Sequence, residues 1–322
     1  MKDFGGKLAV ITGGGTGMGR ELARQLIAEG CDVAMCDVSA ENMAETVALC
    51  EAEAPQGRIV TAHLCDVGDE AQVLGFRDEV KDQHNRDHIN LLFNNAGIAG
   101  GGSFVKEDRD LWERTFNICW YGVYYCSRAF LPLLIASDEG HIVNTSSVNG
   151  FWASLGPMTA HTSYSAAKFA VKGFTEALVN DLRLNAPHVK ASLVMPGHIG
   201  TSIAINSGKV LGRPDPEDMT RKDIAEMRSL WQGIGVDIDN LDDDAIRAAI
   251  AQRQIDFRDN APMTAAQAAT VILDGVRNET WRILVGEDAK VLDRLVREAP
   301  ELAYEPEFME RLRDEADWQL GS

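Results

Sequence analysis

Leu8-Ala9-Val10-Ile11-Thr12 is a short uncharged run between a lysine and a string of glycines. Runs of the same kind recur at 32–37, 59–64, 90–94, 141–145, 190–195 and 282–285. Each is too short for a helix and apolar at odd and even positions alike, which predicts strands covered on both faces. Between them lie longer stretches with helical periodicity, at 17–29, 41–53, 70–83, 109–135, 163–184 and 265–277. Strand and helix alternating in this way predict an α/β fold: a doubly wound parallel sheet of about seven strands with helices on both faces.

The rhythm breaks after Thr201. Residues 203–261 are strongly charged, with short helical patterns such as 243–254 and no strand signal. An insertion between a strand and its helix falls at the carboxyl edge of the sheet, so 202–262 is expected to form a helical substrate-lid lobe. Helical patterns resume after the strand at 282–285 and run to Trp318. The chain therefore reads as one domain, 1–322, with that lobe and a helical C-terminal extension over 287–322.

Bulk composition narrows the functions. The 322 residues are 45% apolar and 25% charged, ordinary for a globular protein. A net charge of −18 argues against a nucleic-acid partner. Acid concentrated at 237–244 lacks the spacing and glycine of a calcium loop and reads as a solvated helix start. No charged-then-apolar leader is apparent, nor an uninterrupted apolar run of membrane-spanning length, so a cytoplasmic protein without a membrane partner is expected. The six cysteines show no CxxC and no His/Cys ligand spacing. Cys31, Cys36, Cys65, Cys119 and Cys126 lie in apolar runs and read as buried thiols in a reducing compartment, with no metal site expected.

The chemistry begins at the glycine turn. Gly13, Gly15, Thr16, Gly17, Met18 and Gly19 lie between the first strand and the first helix. Glycines there let backbone amides approach a pyrophosphate, and the helix N-terminus adds partial positive charge. The spacing, GxxxGxG, departs from the GxGxxG fingerprint. Asp37 closes the second strand, where a carboxylate accepts hydrogen bonds from a ribose. It would repel the extra phosphate of NADP by roughly 1–3 kcal/mol, and no Arg or Lys follows in Val38-Ser39-Ala40. NAD is therefore expected over NADP. Asp66 and Val67 after the third strand, and Asn94, Ala96 and Gly97 after the fourth, are expected beside the same crevice.

Tyr164 and Lys168 sit four residues apart, on one face of a helix. Moving a phenol from about pH 10 to about 7 needs roughly 4 kcal/mol of phenolate stabilisation. One cation at about 4 Å supplies on the order of 4 kcal/mol at an effective dielectric near 20. Lys168 beside Tyr164 is therefore expected to make an acid–base pair, with Ser147 upstream.

Together these residues resemble the short-chain dehydrogenase/reductase family, in its compact single-domain branch, which implies a Rossmann-type sheet. TGGGTGMG resembles the family's cofactor turn and NNAG its motif after the fourth strand. The resemblance implies that Tyr164 is the general acid/base and that Ser147 holds the substrate oxygen. Lys168 would depress the tyrosine and bind ribose hydroxyls, and Asn117 would hold a water linking Lys168 to solvent. Pro196, Gly197, Ile199 and Thr201 would flank the nicotinamide. Three features depart from the family: a long 150–163 stretch carrying Phe151, Trp152, Met158 and His161, the enlarged lobe, and the C-terminal extension. Trp152, His161 and His198 are candidate substrate contacts, and Trp152 suggests a bulky or hydrophobic substrate.

The expected function is NAD-dependent interconversion of a secondary alcohol and a ketone. Two alternatives stand beside it: an NAD-binding sensor or scaffold without turnover, and a nucleotide-sugar epimerase or dehydratase. By analogy with the family, the helices at 109–135 and 163–184 are expected to pair in a homodimer or homotetramer.

Overall fold

The computed structural model describes residues 1–100, 102–156, 159–233, 237–238, 240–318 and 320. Met158 and Asp239, both noted above from the sequence, lie outside them. The chain opens with β1 (Leu8–Thr12), α1 (Gly17–Ala28), β2 (Asp32–Asp37), α2 (Ala40–Glu53), β3 (Val60–Leu64), α3 (Glu70–His84) and β4 (Leu91–Asn94). α4 (Arg109–Phe116) and α5 (Gly122–Ile135) are separated by a π turn at Asn117–Tyr121. β5 (Gly140–Thr145), α6 (Thr162–Asn185), β6 (Val189–Pro196) and β7 (Ile199–Gly200) follow. The lobe holds α7 (Ile203–Val210), α8 (Arg221–Gly233) and α9 (Asp243–Asp259). The last elements are β8 (Met263–Thr264), α10 (Ala265–Arg277), β9 (Arg282–Val285), α11 (Glu287–Glu298) and α12 (Pro306–Ala316).

Seven strands form one parallel sheet in the order β3-β2-β1-β4-β5-β6-β9. Alternate residues of β1 supply the two faces. Leu8 and Val10 join Leu92, Phe76, Phe130 and Ala167 beneath α3, α5 and α6. Ala9 and Ile11 join Leu22, Met43, Phe93 and Ile272 beneath α1, α2 and α10. This period of two on a doubly covered sheet is why each strand looked apolar throughout. The strand order reverses between β1 and β4, which opens a crevice at their carboxyl ends.

Two differences from the expected elements have clear causes. Residues 109–135 carry one apolar pattern but hold three helical pieces, because a π turn keeps nearly the same periodicity. By length and composition this stretch is apolar enough to cross a membrane. Here its apolar residues, among them Phe130 and Leu134, pack in the core against the sheet. Past Thr201, β8 pairs with β7 through Ile199↔Met263 and Gly200↔Thr264. Two-residue strands leave no periodic trace.

Three satellite cores complete the structure. Val123, Val171, Leu193 and Met195 extend the sheet's packing. The lobe is organised around Ile224, Trp231, Ile238 and Ile246. The C-terminal extension packs Leu292, Phe308, Leu312 and Trp318 around Val148 and Trp152. All six cysteines are buried and free.

Candidate active site

The crevice between β1 and β4 contains a cavity of about 530 Å³. One wall is the glycine turn. Gly13 has φ +68°, a left-handed conformation that favours glycine, and a Cβ there would stand 2.9 Å from Ala96 Cα. Gly19 is packed so tightly that a Cβ would overlap the Gly13 carbonyl oxygen. The first turn of α1 carries no acidic side chain, and its N-cap residue Thr16 makes no side-chain cap bond. Its amides and dipole are thus available to an anion.

Across the cavity, Asp37 accepts from Gly15 N at 3.0 Å through Oδ2 and from Ser39 N at 3.0 Å through Oδ1. These bonds orient the carboxylate at the end of β2, on the cavity lining. Gly13, Thr16, Gly17 and Met18 line the same cavity, as do Asp66, Val67, Ala96, Gly97 and Thr201. Thr201 also packs on the turn, since its Cβ lies 3.2 Å from where a Gly17 Cβ would be. Gly15 contributes its amide to Asp37, and Gly19 supports the turn from beneath. This donor-rich, close-backbone cradle with a ribose-side carboxylate fits a dinucleotide.

Several expected residues sit elsewhere. Asn94 is buried and donates to Ser127 Oγ at 3.0 Å and to Asn144 Oδ1 at 2.8 Å. It ties β4 to its neighbours, and Asn95 lines the cavity in its place. Asn95 Nδ2 donates to Thr12 O at 3.1 Å, while Thr12 Oγ1 accepts from Asn95 N and Ala96 N, both at 3.0 Å. Pro196 ends β6 in register with Val285, and Gly197 N donates to Val285 O at 2.9 Å. Ile199 is a core residue of the β7–β8 pair. These three hold the segment leading to Thr201 and do not line the cavity as described.

Tyr164, Ser147 and Lys168 come together behind Gly97, which lines the cavity, and are not themselves among its lining residues. Lys168, 2% exposed, places Nζ 3.5 Å from where a Gly97 Cβ would stand and 5.4 Å from the Tyr164 ring centre. Burial pushes the Tyr164 phenol well above its ordinary value, the neighbouring Cys119 adds to that, and a hydrogen bond from Ser147 pulls it back. Burial likewise lowers Lys168. Burial thus outweighs the phenolate stabilisation expected from Lys168. Its ammonium donates to Thr145 O at 2.9 Å, and the hydrogen bond that favours the phenolate comes from Ser147.

Asn117 opens the π turn and donates from Nδ2 to Gly68 O at 2.9 Å. Beside it, Arg114 Nη2 donates to Asp66 Oδ2 at 2.5 Å, and Gly68 N donates to Asp66 Oδ1 at 2.9 Å. His161 packs on Tyr164 with ring centres 4.5 Å apart and planes tilted by 34°, and burial lowers its imidazole to about 4. Trp152 is not at the crevice: it is buried between Phe308 and Trp318 beneath the C-terminal extension. His198 is structural too. Its Nε2 bonds to Phe257 O at 2.7 Å, and its backbone N donates to Asp288 Oδ2 at 2.7 Å.

The lobe reaches the site through α7. Asn206 Nδ2 donates to Thr16 Oγ1 at 3.1 Å, Ala99 N donates to Ser207 Oγ at 2.7 Å, and Lys209 lines the cavity. Asn95 lay within the NNAG motif, whereas Arg114, Cys119, Asn206 and Lys209 had no distinguishing signal in the sequence. Each became a site neighbour only when remote segments met.

Residues 7–210 match the short chain dehydrogenase family. The chain belongs to the short-chain dehydrogenase/reductases. This member is 34% identical over 297 residues to SadH of Mycobacterium tuberculosis, named as an oxidoreductase, with 92% of each chain covered. It is 29% identical over 219 residues to human dehydrogenase/reductase SDR family member 11, covering 67% of this chain and 81% of the relative. Its fold matches a short-chain dehydrogenase/reductase from Burkholderia phymatum solved with NAD. That match has a TM-score of 0.74 and 30% identity, and covers 95% of this chain and 98% of the other. As a short-chain dehydrogenase/reductase, the protein is an oxidoreductase with a nicotinamide cofactor.

Proposed function

We propose that this enzyme uses NAD to interconvert a secondary alcohol and a ketone, with Tyr164 as the general acid/base. The observation that carries the reading is the meeting of Tyr164, Ser147 and Lys168 beside Gly97, on the edge of the dinucleotide-sized cavity. The glycine turn and the α1 N-terminus would hold the diphosphate, and Asp37 the adenosine ribose. When bound, the nicotinamide supplies the hydride chemistry.

The remaining work belongs to the chain. Ser147 hydrogen-bonds the substrate oxygen and the Tyr164 oxygen, and so holds the reacting proton between them. Tyr164 takes that proton during oxidation and returns it during reduction. Lys168, buried close by, favours the phenolate by its charge, and a water held by Asn117 would carry the released proton from Lys168 to solvent. His161, neutral and packed at a tilt on Tyr164, offers an uncharged ring to the substrate. Asp37 supports NAD over NADP, because a 2′-phosphate would approach a carboxylate already fixed by two amides. The 202–262 lobe acts as the lid, resting on the turn through Asn206.

The same reading carries self-association through the 109–135 helical stretch and α6, where Tyr121, Tyr124 and Phe169 are exposed. Cofactor reduction with cyclohexanol-like, steroid-like and aromatic alcohols tests the activity, with NAD and NADP run in parallel. Tyr164→Phe is expected to reduce turnover by at least about a thousandfold while NAD still binds, as measured by fluorescence titration. A variant with near-parental rate removes the mechanism.

A further inference from the structure

Ser147 leads directly into a short turn, Val148–Gly150, and the segment after it is fastened from the far end of the chain. Trp152 Nε1 donates to Ala303 O at 2.7 Å, and Ala153 N donates to Tyr304 Oη at 3.1 Å. Trp318 Nε1 donates to Leu155 O at 3.2 Å. Packing reinforces these bonds. Trp152 is 1% exposed, with ring centres 5.7 Å from Phe308 and 5.8 Å from Trp318. Val148, the residue after Ser147, belongs to the same apolar core.

Asn149 connects that anchorage to the serine. Its Nδ2 donates to Trp152 O at 3.0 Å and to Ser154 O at 2.6 Å, and its backbone N donates to Ser147 Oγ at 3.1 Å. A continuous set of hydrogen bonds thus runs from the C-terminal residues to the serine oxygen. A three-residue turn has little rigidity of its own, so the resting position of that oxygen depends on what the turn is packed against.

We propose that the C-terminal extension positions Ser147: Tyr304, Trp318 and Trp152 hold the 148–155 segment so that the Ser147 hydroxyl meets both Tyr164 and the substrate oxygen. This rests on the roles of Ser147 and Tyr164 given above. Displacing a reacting group by about 1 Å costs up to about a hundredfold in rate, so modest loosening is visible in turnover. Trp152, Tyr304 and Trp318 are positioning residues, since they act through the segment and Asn149.

The test uses full-length Tyr304→Phe, Trp318→Phe and the double variant. Tyr304 is 61% exposed, and its change removes one hydroxyl, so the fold is retained in at least that variant. With NAD and cyclohexanol, or the best alcohol of the screen above, kcat of the double variant is expected to fall roughly tenfold to a hundredfold. NAD affinity by fluorescence titration stays at the parental value. The pH limb of kcat moves upward, because Tyr164 loses part of the hydrogen bond that favours its phenolate. Hydrogen exchange gives a reading free of turnover: the Asn149 amide, bonded to Ser147, exchanges faster together with that of Ala153.

If Ala153 loses protection while Asn149, kcat and the pH limb stay parental, the extension only stabilises its own neighbourhood and the proposal fails. A fall in kcat with an unmoved limb and a protected Asn149 overturns it as well. Tyr164→Phe, run alongside, separates the two ideas. If that variant keeps its turnover, the mechanism fails, while the exchange of Asn149 still judges the positioning.

Discussion

The proposed preference for NAD rests on Asp37. Both its oxygens are held by backbone amides, from Gly15 and Ser39, so the carboxylate cannot swing aside for a phosphate. Asp37→Ser removes the charge and leaves the strand end in place. We expect NAD to bind more weakly and the ratio of NADP to NAD affinity to rise by about ten- to hundredfold, read from parallel fluorescence titrations. An unchanged ratio would place the discrimination elsewhere. Asp37 was legible because position at a strand end and charge both follow from the pattern. Asn94 and Asn95 were not, because neighbours at a strand end face different surroundings. Asn94 turns into the Ser127–Asn144 network, and Asn95 turns back to Thr12 and the cavity. The Tyr164–Lys168 spacing correctly placed both groups on one helix face. It was blind to Thr145 O, which captures the ammonium, and to the burial that raises the phenol.

Among the elements, α10 was legible from its apolar period, and the structure adds its N-cap. Thr264 Oγ1 accepts from Gln267 N at 3.2 Å, and Gln267 Oε1 accepts from Thr264 N at 2.9 Å, a reciprocal capping box. Thr264→Ala is expected to cost about 1 kcal/mol, seen as a lower Tm, with NAD affinity unchanged. A loss of NAD affinity as well would mean that β8, which ends at Thr264, transmits strain through β7 to Thr201. The long helix at 109–135 was legible as one element and not as three. Its π turn is stabilised by what surrounds it: Asn117 reaches Gly68, and Ile118 and Cys119 pack into the core. Such turns change the apolar period too little to register, yet here one brings Asn117 Nδ2 onto Gly68 O.

At the scale of the whole molecule, three histidines whose imidazoles are lowered by burial are expected to set the response to acid. Burial lowers His84 to about 4, His141 to about 3 and His161 to about 4. Each imidazole is neutral when folded but takes a proton near about pH 6.5 when unfolded. Between those values the unfolded chain binds more protons, so stability is full above about pH 6.5 and falls as the pH drops toward the folded values. For His84 the loss is on the order of 3 kcal/mol. The net charge of −18 gives little relief in this window, because carboxylates take up protons mainly below about pH 5. Tm is therefore expected to fall between about pH 7.5 and about pH 5, and His84→Gln to flatten that slope. An identical slope in the variant would remove His84 from the account.

The sequence by itself determined the doubly wound sheet, the glycine turn, the carboxylate at the end of β2 and the Ser147, Tyr164 and Lys168 set. These depend on local periodicity, on backbone freedom at glycine and on spacing along one helix, all of which are written in neighbouring residues. Tertiary structure decided what each side chain faces. Trp152 turned from a candidate substrate contact into the anchor of the C-terminal extension, and Asn206 and Lys209 came from the lobe to the cavity. Contacts between segments far apart in the chain carry no local period, so only packing reveals them.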